Sequence, residues 1–105
     1  MRRSALYPPY CRLLRVLLAS EQEEPLIRTA QALAIRLRGA LLHDEQVVGP
    51  APCPLPKLRG LHRWHMLLKG PKVQDLTEIA QKEISTMRTS GVVRIGLDPD
   101  PQSLL

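Results

Sequence analysis

The sequence contains no phenylalanine, and its aromatic residues are limited to Tyr7, Tyr10 and Trp64. Many proteins that bind single-stranded nucleic acid stack the bases on exposed aromatic side chains. A platform of that kind is missing here, and Trp64 is expected to serve as an apolar anchor in the core. Any binding of nucleic acid would therefore depend on backbone phosphates, on local shape or on the capture of a chain end.

Groups that could carry catalysis or hold a metal are also scarce. Cys11 and Cys53 are the only cysteines, and their wide spacing matches neither a CxxC motif nor a disulfide framework, so we expect free thiols. His62 and His65 lie three residues apart, which on a strand directs them to opposite faces and excludes a shared metal. Nothing in the spacing brings a histidine to either thiol as a general base.

Nucleotide chemistry lacks its motif as well. The sequence has no GxxxxGK[ST] segment, which cradles phosphates in P-loop enzymes. Asp98 and Asp100 alternate with Pro99 and Pro101, a pattern typical of a turn rather than of paired acid–base catalysts. We therefore expect the chain by itself to be no enzyme and to need no cofactor or metal.

Long apolar runs are missing too. No stretch approaches the roughly 18 apolar residues of a membrane span, and Pro8, Pro9, Arg12 and Arg15 interrupt the segment where a secretory signal would be. The expectation is a soluble, cytoplasmic protein with no membrane partner. A length of 105 residues suits a single domain over residues 1–105.

Positive charge is what the sequence has in excess. Fifteen lysines and arginines against ten acidic residues give a net charge of +5 and a pI of about 9.8. Clustered cations favour a polyanionic partner, because binding releases counterions from the phosphate backbone. Charge alone does not distinguish this from an ordinary solvated surface.

Hydrophobic periodicity predicts six elements. Strands are predicted at Tyr10–Ala19, Glu45–Gly49, Gly60–Lys69 and Val92–Asp98, and helices at about residues 25–42 and from Val73 to near Ser90. The prolines at 50, 52, 54 and 56 make the second strand an edge strand that leads into a stiff loop. The order βαββαβ predicts an α+β, ferredoxin-like split βαβ fold, a four-stranded antiparallel sheet with two helices on one face.

The alternation along the strands divides the sheet into two faces. If the helices cover the face that bears Trp64 and Met66, the open face carries a basic stripe of Arg15, Arg63, His65, Lys69 and Arg94. The alternative is a solvent-facing sheet whose charges only maintain solubility. The register decides between them, since a slip of one residue exchanges the faces.

Several segments together resemble a known family. They are Tyr7–Leu13, the proline-rich Gly49–Gly60, Arg63–Lys69 and the Asp-Pro ending Leu97–Leu105. In order and spacing they resemble the C-terminal domain of primosomal protein N′, the replication-restart helicase PriA. The likeness extends over nearly the whole chain, and the combination is far more specific than any one segment.

The resemblance implies an S10-like module that packs on a helicase core and helps to recognise branched DNA at stalled forks. It also implies partners: forked and single-stranded DNA, the helicase core, the single-stranded-DNA-binding protein and other primosome proteins. The parent would be a bacterial, nucleoid-associated, ATP-dependent 3′–5′ DNA helicase that uses ATP, Mg and Zn. Its helicase, zinc-binding and N-terminal DNA-binding parts are absent here, so the chain is expected to be an excised or truncated domain.

The sequence departs from the family pattern in places. Tyr10 stands where the family commonly has Phe, Cys11 where it has Gly and His62 where it has Tyr or another aromatic, all tolerable in size. Gly70–Val73 stands where the family often has Ala-Pro-Ser-Arg. The missing serine removes a helix N-cap worth roughly 1 kcal/mol. A partner contact that depends on the following arginine is not expected in this chain.

Two functional hypotheses remain. In the first, six basic residues contact DNA phosphates without reading bases: Arg15, Lys57, Arg59, Arg63, Lys69 and Arg94. In the second, the basic surface docks the domain on the rest of the helicase and has little DNA affinity of its own. An enzymatic alternative, a small phosphatase of the same topology, would require an Arg–Asn active site that the sequence does not contain.

Overall fold

A computed structural model describes residues 12–42, 44–87 and 91–99. Four strands and two helices alternate as β1 (Arg12–Ser20), α1 (Glu23–Ala40), β2 (Gln46–Leu58), β3 (Leu61–Gly70), α2 (Val73–Thr86) and β4 (Arg94–Pro99). The strands form one antiparallel sheet in the order β2-β3-β1-β4. This confirms the predicted ferredoxin-like βαββαβ fold.

Both helices cover one face of the sheet, because each presents an apolar stripe. In α1 the buried residues recur at helical spacing, and they pack against the even-numbered residues of β1 and β3. Apolar residues of α2 and β4 complete the core. The fully buried side chains include Leu14, Val16, Leu18, Leu26, Leu33, Leu37, Met66, Leu68 and Leu76.

The strand register fixes which side chains lie on the open face. Leu18 pairs with Trp64 and with Ile95 on the helix side, and Trp64 packs against the core as expected. One residue further, Ala19 pairs with Arg63 and with Arg94 on the open side. The predicted division of the sheet into two faces is confirmed.

The second strand differs most from its prediction. The sequence indicated a strand that stops at Gly49, but β2 continues through the proline-rich segment to Leu58. It can do so because it is an edge strand, in which alternate N–H groups point away from the neighbouring strand and are dispensable. Two register shifts against β3 accommodate the remaining irregularity, one between Val48 and Ala51 and one between Pro52 and Lys57.

Helix boundaries shift by a few residues from those predicted. Helix α1 begins at Glu23 instead of Pro25, which places the proline in the first turn, where its missing N–H is not needed. Helix α2 ends at Thr86, before the predicted end near Ser90. Residues 88–90, the start of the first predicted strand at Tyr10–Cys11 and the Asp100–Pro101 part of the predicted turn lie outside the described residues.

A membrane-spanning helix is not found in residues 12–42, 44–87 or 91–99, because none of their helices is both long and apolar enough.

Candidate nucleic-acid interface

Charge is segregated between the sheet and the helices. The four strands and the β2–β3 turn carry seven lysines and arginines against a single carboxylate, that of Asp98. The rest of the described chain, helices and connections, carries five lysines and arginines against eight carboxylates. The strands with their turn are therefore strongly positive, and the helices with the connections are mildly negative.

The β2–β3 turn projects one of these cations. Leu58 pairs with Leu61, so Arg59 and Gly60 form a two-residue hairpin turn in which both φ angles are positive, 54° and 82°. That geometry is the type I′ turn favoured by the right-handed twist of a hairpin. Glycine adopts it easily, whereas Arg59 is held in it at some cost and extends its guanidinium into solvent.

A cross-strand row brings two further arginines together. Arg63 on β3 and Arg94 on β4 flank Ala19 of β1, so their backbones lie about 10 Å apart, two strand spacings. The Arg63 guanidinium also donates a hydrogen bond of 3.3 Å to the carbonyl oxygen of Leu55. Arg94 is exposed, and its position beside Ala19 leaves it facing solvent at the end of the sheet.

The two lysines among the predicted phosphate contacts lie at different places on the sheet. Lys57 pairs with His62, so its register places it on the helix side of the sheet, although it is exposed at the end of β2. Lys69 lies six residues along β3 from Arg63, about 20 Å away. Thus Arg59, Arg63 and Arg94 gather at the hairpin end of the sheet, Lys57 borders them, and Lys69 stands apart.

Arg15 lies on the open face but is not at its surface. Its residue is only 4% exposed, and its guanidinium donates through Nε to Nδ1 of His65 at 3.2 Å. A second nitrogen lies 3.5 Å from the sulfur of Cys53, which is a free thiol as expected and is itself 3% exposed. The other cysteine, Cys11, lies outside the described residues. Arg15 therefore links three strands, and its burial argues against a direct contact with phosphate.

The imidazole of His65 is adapted to this neighbourhood. Partial burial lowers its pKa below the ordinary value of 6.5, and the positive charges of Arg15 and Arg63 lower it further. A neutral ring with an unprotonated Nδ1 is the form that can accept the hydrogen bond from Arg15. The sequence placed His65 on the basic stripe, whereas its lowered pKa and the hydrogen bond from Arg15 favour a neutral acceptor.

Sequence reasoning missed a cavity at the hairpin end of the open face. It measures about 250 Å³ and is lined by Ala19, Glu21, Gln22, Leu61, Gly91, Val92 and Arg94. Only Arg94 among these was predicted as a site residue. The other residues come from separate segments of the chain, and no spacing in the sequence indicates that they meet.

Metal-binding clusters are not found within the described part of the chain, where no three histidine, cysteine or acidic side chains come together.

The structure is a small α+β domain in which two helices cover one face of the sheet and the open face carries basic residues. Comparison with known proteins assigns this domain to a family. The family profile described as "Primosomal protein N C-terminal domain" matches residues 3–102, and the chain belongs to that family.

Three bacterial relatives are called replication restart protein PriA, one of them with the qualifier "probable". "Replication restart protein PriA" of Treponema pallidum is 26% identical over 99% of this chain, and the protein of that name from Thermotoga maritima is 31% identical over 98%. "Probable replication restart protein PriA" of Deinococcus radiodurans is 30% identical over 98%. The chain spans only 16%, 13% and 11% of the lengths of these relatives, respectively.

A solved structure agrees on the fold. The de novo designed protein Foldit4 superposes with a TM-score of 0.62 over 89% of this chain and 99% of its own, at 8% sequence identity. At that identity the likeness concerns the backbone arrangement alone. It supports the ferredoxin-like topology and says nothing of function.

Proposed function

We propose that this chain is a DNA-binding accessory domain of a replication-restart helicase. In this role it binds forked or branched DNA through backbone phosphates and packs against the helicase core. The observation that carries the proposal is the segregation of charge, which gives the four strands and the β2–β3 turn seven cations and one carboxylate. The full-length protein would be an ATP-dependent 3′–5′ helicase located in the bacterial cytoplasm at the nucleoid.

The phosphate-contacting set follows from exposure and position. Arg59, Arg63 and Arg94 gather at the hairpin end of the sheet, with exposed Lys57 beside them. Lys69 provides a separate contact farther along β3. Arg15 supports this surface from beneath, because its guanidinium bonds to His65 on β3 and lies against Cys53 on β2.

Contacts of this kind position DNA without reading its sequence. Each phosphate neutralised makes the observed binding constant fall by about 3- to 4-fold between 50 and 200 mM salt. The four contacts at the hairpin end alone therefore predict a loss of at least about 100-fold in affinity for a fork over that interval. Fluorescence anisotropy with labelled forked, duplex and single-stranded DNA measures both the salt dependence and the preference for structure.

A matched pair of double variants locates the binding surface. R59E/R94E reverses two exposed cations at the hairpin end, and the side chain of neither has a hydrogen bond or ion pair to another described residue. K72E/K82E makes the same change in net charge on exposed residues of the helix side. We expect the first pair to weaken fork binding at 50 mM salt by at least about 10-fold and the second pair to weaken it much less. Equal losses would mean that only net charge matters.

Docking is the second candidate, and a particular observation favours it. Ile35 and Leu42, seven residues apart on and just after α1, are 71% and 61% exposed, and Ile35 lies on the face of α1 turned away from the core. An exposed apolar pair of this kind suits a protein partner such as the helicase core. If the isolated chain binds no DNA at 50 mM salt, and I35S abolishes its association with a separately expressed core, docking is the better description.

A further inference from the structure

The cavity at the hairpin end of the sheet combines apolar and polar walls. Ala19 and Leu61 form an apolar floor on the open face, and the partly exposed Val92 closes one side. Glu21, Gln22 and Arg94 also line the cavity as its polar rim, and their side chains carry a carboxylate, an amide and a guanidinium. A volume of about 250 Å³ is enough for one nucleobase with part of its sugar.

The polar rim is held in place by a turn. Ser20 ends β1 and is buried, and its hydroxyl accepts a hydrogen bond of 3.0 Å from the backbone N–H of Gln22. This turn directs the chain from β1 into α1 and fixes the backbone of Glu21 and Gln22 beside the cavity. The Gln22 side chain makes no capping hydrogen bond to the helix that follows it. Its amide therefore has no part in starting α1.

Taking the proposed DNA-binding function as given, we infer that this cavity accepts one unpaired nucleotide, with its base on the apolar floor and its phosphate toward Arg94. Arg63 lies beyond Ala19 in the same cross-strand row, where it is placed for the neighbouring phosphate. Guanidinium planes and apolar side chains replace the missing aromatic platform. Such a site lets the domain distinguish a branch point, where bases are unpaired, from intact duplex.

The rim also determines which base fits. A carboxylate only accepts hydrogen bonds, and the Gln22 amide both donates and accepts, so the pair complements a base that presents an amino group beside an acceptor. Cytosine and adenine present that pattern. Thymine presents one N–H between two carbonyl oxygens, and the Glu21 carboxylate repels those oxygens. The cavity should therefore bind an unpaired cytosine or adenine better than an unpaired thymine.

The test uses the 105-residue chain and hairpin duplexes that differ at one extrahelical position: cytosine, thymine, an abasic sugar, or none. We expect the cytosine bulge to bind about 5- to 10-fold more tightly than the thymine or abasic bulge, the low end for one well-aligned hydrogen-bonded pair. E21Q should remove this preference while strengthening binding to the perfect duplex, because a repulsive charge is lost. Q22A should reduce the preference without affecting the perfect duplex.

Two further variants serve as controls. A19M adds volume on the floor without changing charge, and it should abolish discrimination while keeping the salt dependence of duplex binding. If A19M does not fold, which circular dichroism would show, E21Q and Q22A still decide the question. E78Q removes an exposed carboxylate on α2, outside the cavity, and thus matches E21Q in charge. It should leave the preference for cytosine unchanged.

The outcomes separate this inference from the function on which it rests. Equal binding of all four hairpins, with steep salt dependence, would overturn the nucleotide site and leave phosphate binding intact. Failure to bind any of the hairpins at 50 mM salt would overturn both. Competition by an unstructured acidic peptide as effective as the cytosine bulge would identify a peptide site and overturn the nucleotide assignment.

Discussion

Arg15 supports the open face of the sheet from below its surface. Its guanidinium hydrogen-bonds to His65 on one neighbouring strand and lies against Cys53 on the next. A buried arginine is retained in a fold only when its donors are satisfied. By sequence alone Arg15 is equivalent to Arg63, Lys69 and Arg94, since alternation puts all four on the open face of the sheet. Its burial favours a contribution to the geometry of the surface over a direct contact with DNA.

His65 gives a residue-scale prediction about pH. Its folded-state pKa is lowered, so below about pH 6.5 the unfolded chain binds more protons than the folded one. The stability that the neutral ring contributes is complete above that pH and is lost as the pH falls from there through the folded-state pKa. We expect the free energy of unfolding, measured in urea, to decrease between pH 7.5 and 5.5.

The matched variants for this prediction are H65Q and H62Q. Glutamine at 65 keeps an acceptor for Arg15 but does not titrate, so the decrease should become shallower. H62Q makes the same exchange three residues earlier on β3, so the pH dependence of H65Q is compared with that of a matched variant. An unchanged slope in H65Q would show that other groups cause it.

At the scale of elements, β2 is the strand whose behaviour the sequence described least well. Its four alternating prolines correctly indicated an edge strand, but they did not end it. Gly49 permits the first irregularity, because its φ is 104° and the carbonyl oxygen of His65 would lie 3.2 Å from any Cβ at this position, which leaves little room for a side chain. The continued strand places Cys53 over Arg15 and brings Lys57 to the hairpin end.

The turn between β2 and β3 supports an element-scale prediction. R59N replaces a residue strained at positive φ with one that tolerates it, so the free energy of unfolding should rise by roughly 0.5–1 kcal/mol. The same change removes a proposed phosphate contact, so fork affinity at 50 mM salt should fall by about 3-fold or more. Stability and affinity would then move in opposite directions.

R59A is the control for this pair of effects, because it removes the charge without supplying the turn preference of asparagine. It should lose affinity as R59N does but gain no stability. Urea unfolding and anisotropy on the same protein preparations measure both quantities. A gain in stability without any loss of affinity in R59N would remove Arg59 from the DNA-binding surface.

At the scale of the whole molecule, the modest net charge of +5 is distributed unevenly between the strands and the helices. The strands with their turn are strongly positive and the helices with the connections are mildly negative, so in the proposed role the domain would present one preferred orientation to DNA. The exposed face of α1 that carries Ile35 lies away from the open face of the sheet and remains accessible in that orientation. Binding of DNA and docking on a helicase core are therefore geometrically compatible.

This orientation predicts a difference in chemical protection. Lys57 at the hairpin end and Lys82 on α2 are both exposed, so both should be acetylated readily in the free chain. Saturating fork DNA should slow acetylation of Lys57 by several-fold and leave Lys82 unaffected, as followed by mass spectrometry at low extents of modification. Equal protection of the two lysines would contradict a single preferred orientation.

The sequence by itself determined the element order, the apolar stripe of each helix and the two faces of each strand. These features arise from hydrophobic periodicity, which depends only on residues that are close together in the chain. It also determined that the chain is basic and has few aromatic residues on which bases could stack. The positions of Arg63 and Arg94 on the open face followed from alternation alone.

Tertiary structure decided what depends on residues far apart in the chain. The burial of Arg15 requires Cys53 and His65, which are 38 and 50 residues away, and the cavity requires segments from β1, β3 and the approach to β4. Their meeting is fixed by the pairing register of three strands, a property of the assembled sheet that no short segment contains. The sequence thus identified the charged residues, and the fold decided which of them are exposed at the surface.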